Sequence, residues 1–476
     1  MTDRLSALDR SFLTAETPTA HMHVGWAAVF NPPEDRPAPT FDELRAHIAS
    51  RLDRAPRYRQ KLAAVPLDLN TPCWIDADDF DISDHVRRAP TSDLDEAVAI
   101  AMSSPLARER PLWECWVVEG AKDGQIGVVG KAHHCMVDGL AAVELAAVLL
   151  DPTPDPPDAD ASGWRAAPAP SPLQRAAEGV VDRARDGLRL VSAPTRLVRS
   201  PLGMVRLVED ARRSVAALRH SLLPPATPAP VFNEPISPLR SLARVGRPVD
   251  DLVTIKSRFQ TKLNDVVLAV CAGGVGRFLR KRGEYPVRLK AMVPVSVRAE
   301  EDELGNRISF MFIELPCDEP DPVKRLLDIH GATRDRKSGG EAAGAETVLN
   351  SVGYAPTVLQ RTFTRLIASP RTFNLVVSNI PGPRPPMWMH GCELCEAYPV
   401  VPLADRHALS IGVTTVRDGA FFGLYADRKL LPDADVLAAC LDESIDELLE
   451  LAGAGRASTG PAPRATPAAA VGAPTT

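Results

Sequence analysis

The chain is poor in aromatic residues, only 5% of its 476, and it lacks any uninterrupted run of the roughly 18 apolar residues that a membrane-spanning helix needs. The longest candidates, around Leu140–Leu150 and Val266–Val275, are broken by Glu144 or by glycines and read as buried helices. The opening MTDRLSALDRSFLTAETP does not have the charged-then-apolar pattern of a secretory leader. Positive charge is not in excess: the net charge is −6, which argues against nucleic acid as the main partner. Eight cysteines are scattered without a secretory context, so reduced thiols and a cytoplasmic location are expected rather than a disulfide framework. Cys392-x-x-Cys395, with His390 beside it, is half of a zinc or redox site, but no second CxxC completes it and His407 is the only further ligand nearby. No metal and no bound cofactor are expected. His21 and His23 fall on one face of a strand, where a packed or solvated pair explains them better than ligation.

What is present is the composition of a globular protein, 45% apolar and 24% charged, over a length that suits two domains. Residues 1–152 alternate strand and helix signals. HMHVGWAAVF at 21–30 leans to strand and stops at Asn31-Pro32-Pro33. Thr40 and Glu43 have capping-box spacing ahead of Phe41, Leu44, Ile48 and Leu52, which share one helical face. A helix over 92–103, strands over 113–120 and 125–134 joined by a turn at Asp123-Gly124, and a helix ending near Asp151 complete this half. Residues 153–230 begin as a proline- and alanine-rich linker and continue as a segment carrying nine arginines between 183 and 219, basic inside an acidic protein. Residues 231–453 alternate again: a helix over 264–282, strands at 287–297, 307–315, 374–380, 408–416 and 420–426, and a last helix over 433–452. Residues 454–476 are a low-complexity tail. The fold class is α/β in two sheet-and-helix halves.

Between a strand signal and a helix signal lies 133-HHCMVDG-139. Successive side chains of a strand point to opposite faces, so His133 and His134 cannot both face one cavity. That weakens a zinc reading, which is further undercut by the missing i, i+4 histidine pair. A catalytic reading gives one histidine the proton of a substrate hydroxyl, a task suited to a near-neutral pKa. Asp138 could then hydrogen-bond the histidine or pin the loop to an arginine, and Gly139 permits an unusual backbone angle before the next helix. The bland alternative is a strand-to-helix turn with incidental histidines.

HHxxxDG is the signature of chloramphenicol acetyltransferase-like acyltransferases, including peptide-synthetase condensation domains. The rest of the chain resembles the bacterial wax ester synthase/diacylglycerol acyltransferase family. Its opening 5-LSALDRSFLTAETPTAHMHVG-25 is similar to that family's LSPxDxxFLxxExPxxPMHVG, and 111-PLW-113, 263-LNDVVLA-269, 294-PVSVR-298, 304-LGNRIS-309 and 377-VSNIPGP-383 follow in order. The resemblance covers about residues 5–450.

It implies two chloramphenicol acetyltransferase-like domains, each a mixed sheet with helices, and a tunnel between them that acyl-CoA and an acyl acceptor enter from opposite sides. It implies His134 as the tunnel-facing base, His133 as its back-facing neighbour, and Asp138 as a loop anchor whose salt-bridge partner, by motif position, is Arg298. Asn264 and Asp265 match the family's ND motif. Helix N-capping is an equal explanation for Asn264. The catalytic candidates are thus His134, His133, Asp138, Gly139 and Asn264, and the tunnel candidates Pro111, Leu112, Trp113, Asp265, Asn306, Ser378 and Asn379. Packing is an equal explanation for Pro111, Leu112 and Trp113, and a turn for the segment Asn379-x-Pro381-Gly382, which resembles a crossing between domains. The implied reaction is direct O-acyl transfer from long-chain acyl-CoA, a co-substrate rather than a cofactor, to diacylglycerol, giving triacylglycerol, or to a fatty alcohol, giving a wax ester. Asn264 or a backbone N–H would stabilise the oxyanion, and Cys135 reads as a packed thiol. Other classes are a non-catalytic lipid-binding or scaffold protein and a metal-dependent hydrolase. The arginines of 183–219 suit either a peripheral lipid surface, at the inner membrane face or a lipid body, or a solvated face.

Overall fold

The computed structural model describes residues 4–66, 71–121, 124–136, 149–156, 163–181, 224–297, 307–338, 365 and 368–453. The expected helix after the histidine motif, the arginine-rich segment 183–219, the tail 454–476 and the candidates Asp138, Gly139, Arg298 and Asn306 lie outside these residues.

Side-chain caps set the helices of the first half. Helix α1 (Ala7–Ala15) begins at Ser6, whose Oγ accepts the N–H of Asp9 at 3.1 Å. Strand β1 (His23–Asn31) follows. Helix α2 (Phe41–Arg51) opens with the expected capping box: Thr40 Oγ accepts the Glu43 N–H, and the Glu43 carboxylate accepts the Thr40 N–H at 2.7 Å. Phe41, Leu44 and Ile48 are its buried face. Two short strands, β2 (Gln60–Ala63) and β3 (Cys73–Asp76), form a separate ribbon, and β4 (Val86–Arg88) leads into α3 (Leu94–Ser103). The Asp93 carboxylate caps α3 by accepting the N–H groups of Asp95 and Glu96. Strands β5 (Trp113–Val118) and β6 (Ile126–His133) close this half.

The second half runs β7 (Arg240–Pro248), α4 (Val249–Arg258), α5 (Leu263–Lys281), β8 (Leu289–Val297), β9 (Arg307–Leu315) and α6 (Pro322–Ser338). It continues through β10 (Leu375–Ile380), β11 (Trp388–Met389), β12 (Cys392–Val400), β13 (Leu409–Val416), β14 (Gly419–Asp427) and α7 (Ala434–Leu451). Helix α5 is buried on nearly every side from Asp265 to Gly276, because α6 and α7 cover it. That is why its sequence is apolar without a polar stripe.

The chain forms two six-stranded mixed sheets. The second has the order β7-β14-β13-β10-β8-β9, with β10 parallel to both neighbours. The first has the order β11-β12-β1-β6-β5-β4, so two strands made late in the chain pair with one made at its start. These two strands form a hairpin turned by His390 and Gly391, both at positive φ, as a tight two-residue connection demands. His390 is therefore a turn residue. The two sheets meet at Pro399 of β12, which rests on Gly412 and Gly423, paired neighbours in β13 and β14. A Cβ at Gly423 would sit 2.3 Å from the Pro399 carbonyl oxygen, so only glycine admits this approach. Across the same junction Arg244 of β7 grips the Asp95 carboxylate of α3 with two nitrogens, at 2.5 and 3.2 Å.

Candidate active site

Register decides what each face of the first sheet carries. Strand β6 pairs with β1 so that His23 faces His133, Gly25 faces Lys131 and Trp26 faces Gly130. One face of β6 holds Lys131 and His133. On it the Lys131 ammonium donates to the carbonyls of Ala101 (2.7 Å) and Ser104 (2.8 Å) at the end of α3 and to Glu114 (3.3 Å). Helix α3 therefore covers that side. The other face holds Ala132, Gly130, Val128 and Ile126, with Val24, Trp26, Ala28 and Phe30 of β1 alongside. The Trp26 indole lies across Gly130, where any Cβ would come within 2.5 Å of its ring. The His134 N–H donates to the Met22 carbonyl at 3.0 Å, one step beyond the last strand pair. His134 thus opens the turn that follows β6, opposite Met22, whose φ is positive.

The two histidines are held differently. His133 is buried; its Nδ1 accepts the Cys135 N–H at 3.1 Å, which places its proton on Nε2. That Nε2 lies 3.7 Å from a Glu16 carboxylate oxygen, and Glu16 also pairs with Arg108. Burial first, and then the charge of Arg108, lower the pKa of His133 to about 3. His134 is half-buried, its ring stacked on Phe12 of α1 at 3.7 Å and 16°. Its Nδ1 is enclosed and has no hydrogen-bond partner among the described residues. Enclosure, assisted by neighbouring His133 and opposed by its own backbone hydrogen bond, lowers its pKa to about 4. At neutral pH the ring is uncharged and able to take a proton. Cys135 is the opposite case: burial pushes its thiol up to about 12, which removes it as a nucleophile.

The face that carries Trp26, Ala28 and Phe30 walls a cavity of about 210 Å³, whose lining does not include His134. Trp26, Ala28 and Phe30 of β1 and Leu394, Ala397 and Pro399 of β12 form one wall. A bulge helps: Phe30 pairs with Leu394 but Val29 with Glu396, so the extra residue Cys395 lets both Leu394 and Ala397 turn to the same side. Ile380, the last residue of β10, and Pro381–Pro383 after it also line the cavity, as do Met387 and Met389 of the β11 edge. The lining is almost wholly apolar, as a hydrocarbon requires. The Trp26 indole N–H is buried there without an acceptor among the described residues.

The other candidates fall as follows. Pro111, Leu112 and Trp113 do not line this cavity. The Leu112 carbonyl accepts the His133 N–H at 2.9 Å, while Trp113 is buried, donates to the Tyr58 carbonyl at 2.7 Å and stacks on His85. Ser378 and Asn379 lie in β10 directly before Ile380, where the strand begins to line the cavity, and neither lines it. The capping role expected of Asn264 is corrected: α5 starts at Leu263, and Asp265 accepts the Lys262 N–H at 3.0 Å. Asp265 is buried, with Thr333 Oγ1 and His330 Nδ1 of α6 each 2.7 Å from its carboxylate. Phe12 was passed over as a site residue, although it stands in the opening motif that carried the resemblance.

Two mixed six-stranded sheets with a histidine at the end of a central strand form the two-domain fold of condensation-domain-like acyltransferases. A trichothecene 15-O-acetyltransferase from Fusarium sporotrichioides shares the fold at TM-score 0.58 and 12% identity, covering 94% of each chain. The wax ester synthase/diacylglycerol acyltransferase from Marinobacter aquaeolei VT8 superposes at TM-score 0.66 with 27% identity, over 94% of this chain and 100% of that one. The wax ester synthase/diacylglycerol acyltransferase catalytic domain matches residues 5–267, and the C-terminal domain of the same family matches residues 304–449. Two relatives from Mycobacterium tuberculosis, a putative and a probable diacylglycerol O-acyltransferase, are 33% and 32% identical. Both cover 94% of this chain, which in turn spans 90% and 96% of their lengths. The chain belongs to the wax ester synthase/diacylglycerol acyltransferase family and is an O-acyltransferase.

Proposed function

We propose that the protein forms triacylglycerol from diacylglycerol and long-chain acyl-CoA, accepts fatty alcohols as a second acceptor class, and uses His134 as general base. The observation that carries the chemistry is the neutral imidazole of His134, stacked on Phe12 just past the end of β6, whose partner strand β1 lines the apolar cavity. The acceptor hydroxyl gives its proton to His134 as its oxygen bonds to the thioester carbonyl carbon. The oxyanion that forms needs a positioned donor, commonly worth about 3–4 kcal/mol. Collapse breaks the carbon–sulfur bond, and the imidazolium returns the proton to the CoA thiolate. No acyl-enzyme is required, since both reactants are held together in one site. Asp138 acts by anchoring the motif loop to Arg298, and Asn264 is the candidate oxyanion donor. A tunnel between the halves brings the two substrates to His134 from opposite sides. The arginines of 183–219 bring the enzyme to anionic lipid, where its acceptors reside. No helix among the described residues is long and apolar enough to cross a membrane.

The test is free CoA released from palmitoyl-CoA with dioleoylglycerol or hexadecanol, comparing wild type with His134→Ala. A fall of about 10²–10⁴ is expected from loss of a general base. Equal rates in the two proteins would remove the mechanism.

A further inference from the structure

The cavity wall and His134 lie along one strand pair, so the register measures depth. From His134 it is four residues along β6 to Gly130, the partner of Trp26, six to Val128, the partner of Ala28, and eight to Ile126, the partner of Phe30. At about 3.3 Å per residue these levels lie roughly 13, 20 and 26 Å from His134. An extended hydrocarbon chain with bonds of about 1.5 Å at tetrahedral angles advances about 1.25 Å per carbon. A chain reacting at His134 would therefore pass Trp26 near carbon 10, Ala28 near carbon 16 and Phe30 near carbon 21, all approximate.

The side chains vary in size along the same line. Ala28 faces Ala397 across the β1–β12 pair, and both line the cavity. Before them stand Trp26 and Pro399, also paired, and after them Phe30 and Leu394, paired again. Large, small, large is the profile of a hollow with a floor. Phe30, Leu394 and Met389 are all buried, and Met389 closes the end from β11.

Building on the proposed function, we propose that Ala28 and Ala397 set the length of hydrocarbon chain the enzyme accepts, with Phe30 as the stop beneath them. The occupant is a linear chain of about 16–18 carbons, whose end lies between the alanine pair and the phenylalanine ring. Either the acyl group of the donor or the alkyl chain of the acceptor has this chemistry, and separate series distinguish them. One series varies acyl-CoA from 8 to 22 carbons against a fixed acceptor; the other varies the alcohol over the same range against a fixed donor.

In the series that reports the occupant, Ala28→Phe should raise the ratio of kcat/KM for 8-carbon over 16-carbon substrate at least about tenfold, the scale on which a filled pocket discriminates a few methylenes. Ala397→Phe should shift the same ratio in the same direction. Phe30→Ala should do the reverse, raising use of 20- and 22-carbon chains relative to 16. Opposite shifts from substitutions on one strand cannot come from a general loss of folding. The Kd values of the same chains, read from tryptophan fluorescence, give the ratios without turnover. Wild-type protein that binds with this length preference yet transfers nothing would sink the proposed function and leave the ruler standing. Length ratios unchanged in all three variants, by rate and by Kd, would overturn the ruler.

Discussion

The general base should keep working well below the pH at which an ordinary histidine stops. The reference value for a histidine is 6.5, and enclosure brings His134 down to about 4. A base with the reference value would be only about 9% unprotonated at pH 5.5, whereas one at about 4 would be about 97% unprotonated. The acid limb of kcat/KM reports the free enzyme's base, so it should bend near pH 4, with nearly full activity at pH 5.5. Rates would be taken as CoA released from palmitoyl-CoA, quantified by chromatography from about pH 4 to pH 8. Folding must be followed in parallel, because the same shifts act on stability. His133 and His134 both have folded pKa values below the unfolded one, so as pH falls through 6.5 the unfolded chain binds protons first. The stability present above pH 6.5 is thus progressively lost toward pH 3–4, and circular dichroism at each pH separates unfolding from titration. A bend near pH 6.5 in protein that is still folded would refute the assignment of an enclosed, neutral His134 as the base.

Phe12→Ala should lower kcat about tenfold with little change in KM for acyl-CoA, because the ring positions His134 and does not touch the cavity; an unchanged kcat would show that the stacking does not orient the base. Lys131→Met should destabilise the fold by about 2–3 kcal/mol in urea denaturation, since it strands the Ala101 and Ser104 carbonyls and leaves Glu114 with only Trp116 and Arg87. Asp265→Ala should cost about 2–3 kcal/mol through its lost contacts to Lys262, His330 and Thr333, with activity falling only as the folded fraction falls. A fully folded Asp265→Ala protein without activity would instead place that carboxylate in the substrate's path.

Much of the site was legible because it is written in local rules. Strand parity alone separated His133 from His134; β6 ends at His133, which faces His23, and His134 opens the turn beyond it. The capping box at Thr40 and Glu43 and the strands of the second half also follow from short-range pattern. Strand β12 escaped notice because CELCEAYPV mixes charge with cysteine, and the bulge at Cys395 breaks the alternation that marks a strand. Its neighbour β11 is two residues long and carries no periodicity. The cavity was invisible for the same reason: one wall belongs to β1, the other to residues about 350 positions later. The role of Phe12 depends on a ring stacking across about 120 residues of chain, which no spacing rule encodes. Capping was one of two equal readings of Asn264, because asparagine commonly caps, yet the helix starts one residue earlier than its composition suggests.

The sheet that holds His134 is not finished when His134 is made. Its β1 edge waits for β12, which leaves the ribosome about 260 residues later. At roughly 5–20 residues per second, that is an interval of about 13–50 seconds in which a long apolar strand has an unpaired side. The first half is thus not an independently folding unit, and a gene cut between the two halves should give an aggregating fragment rather than a truncated enzyme. Supplying residues 388–400 in trans, or grafting them after β6, is the repair that this topology prescribes.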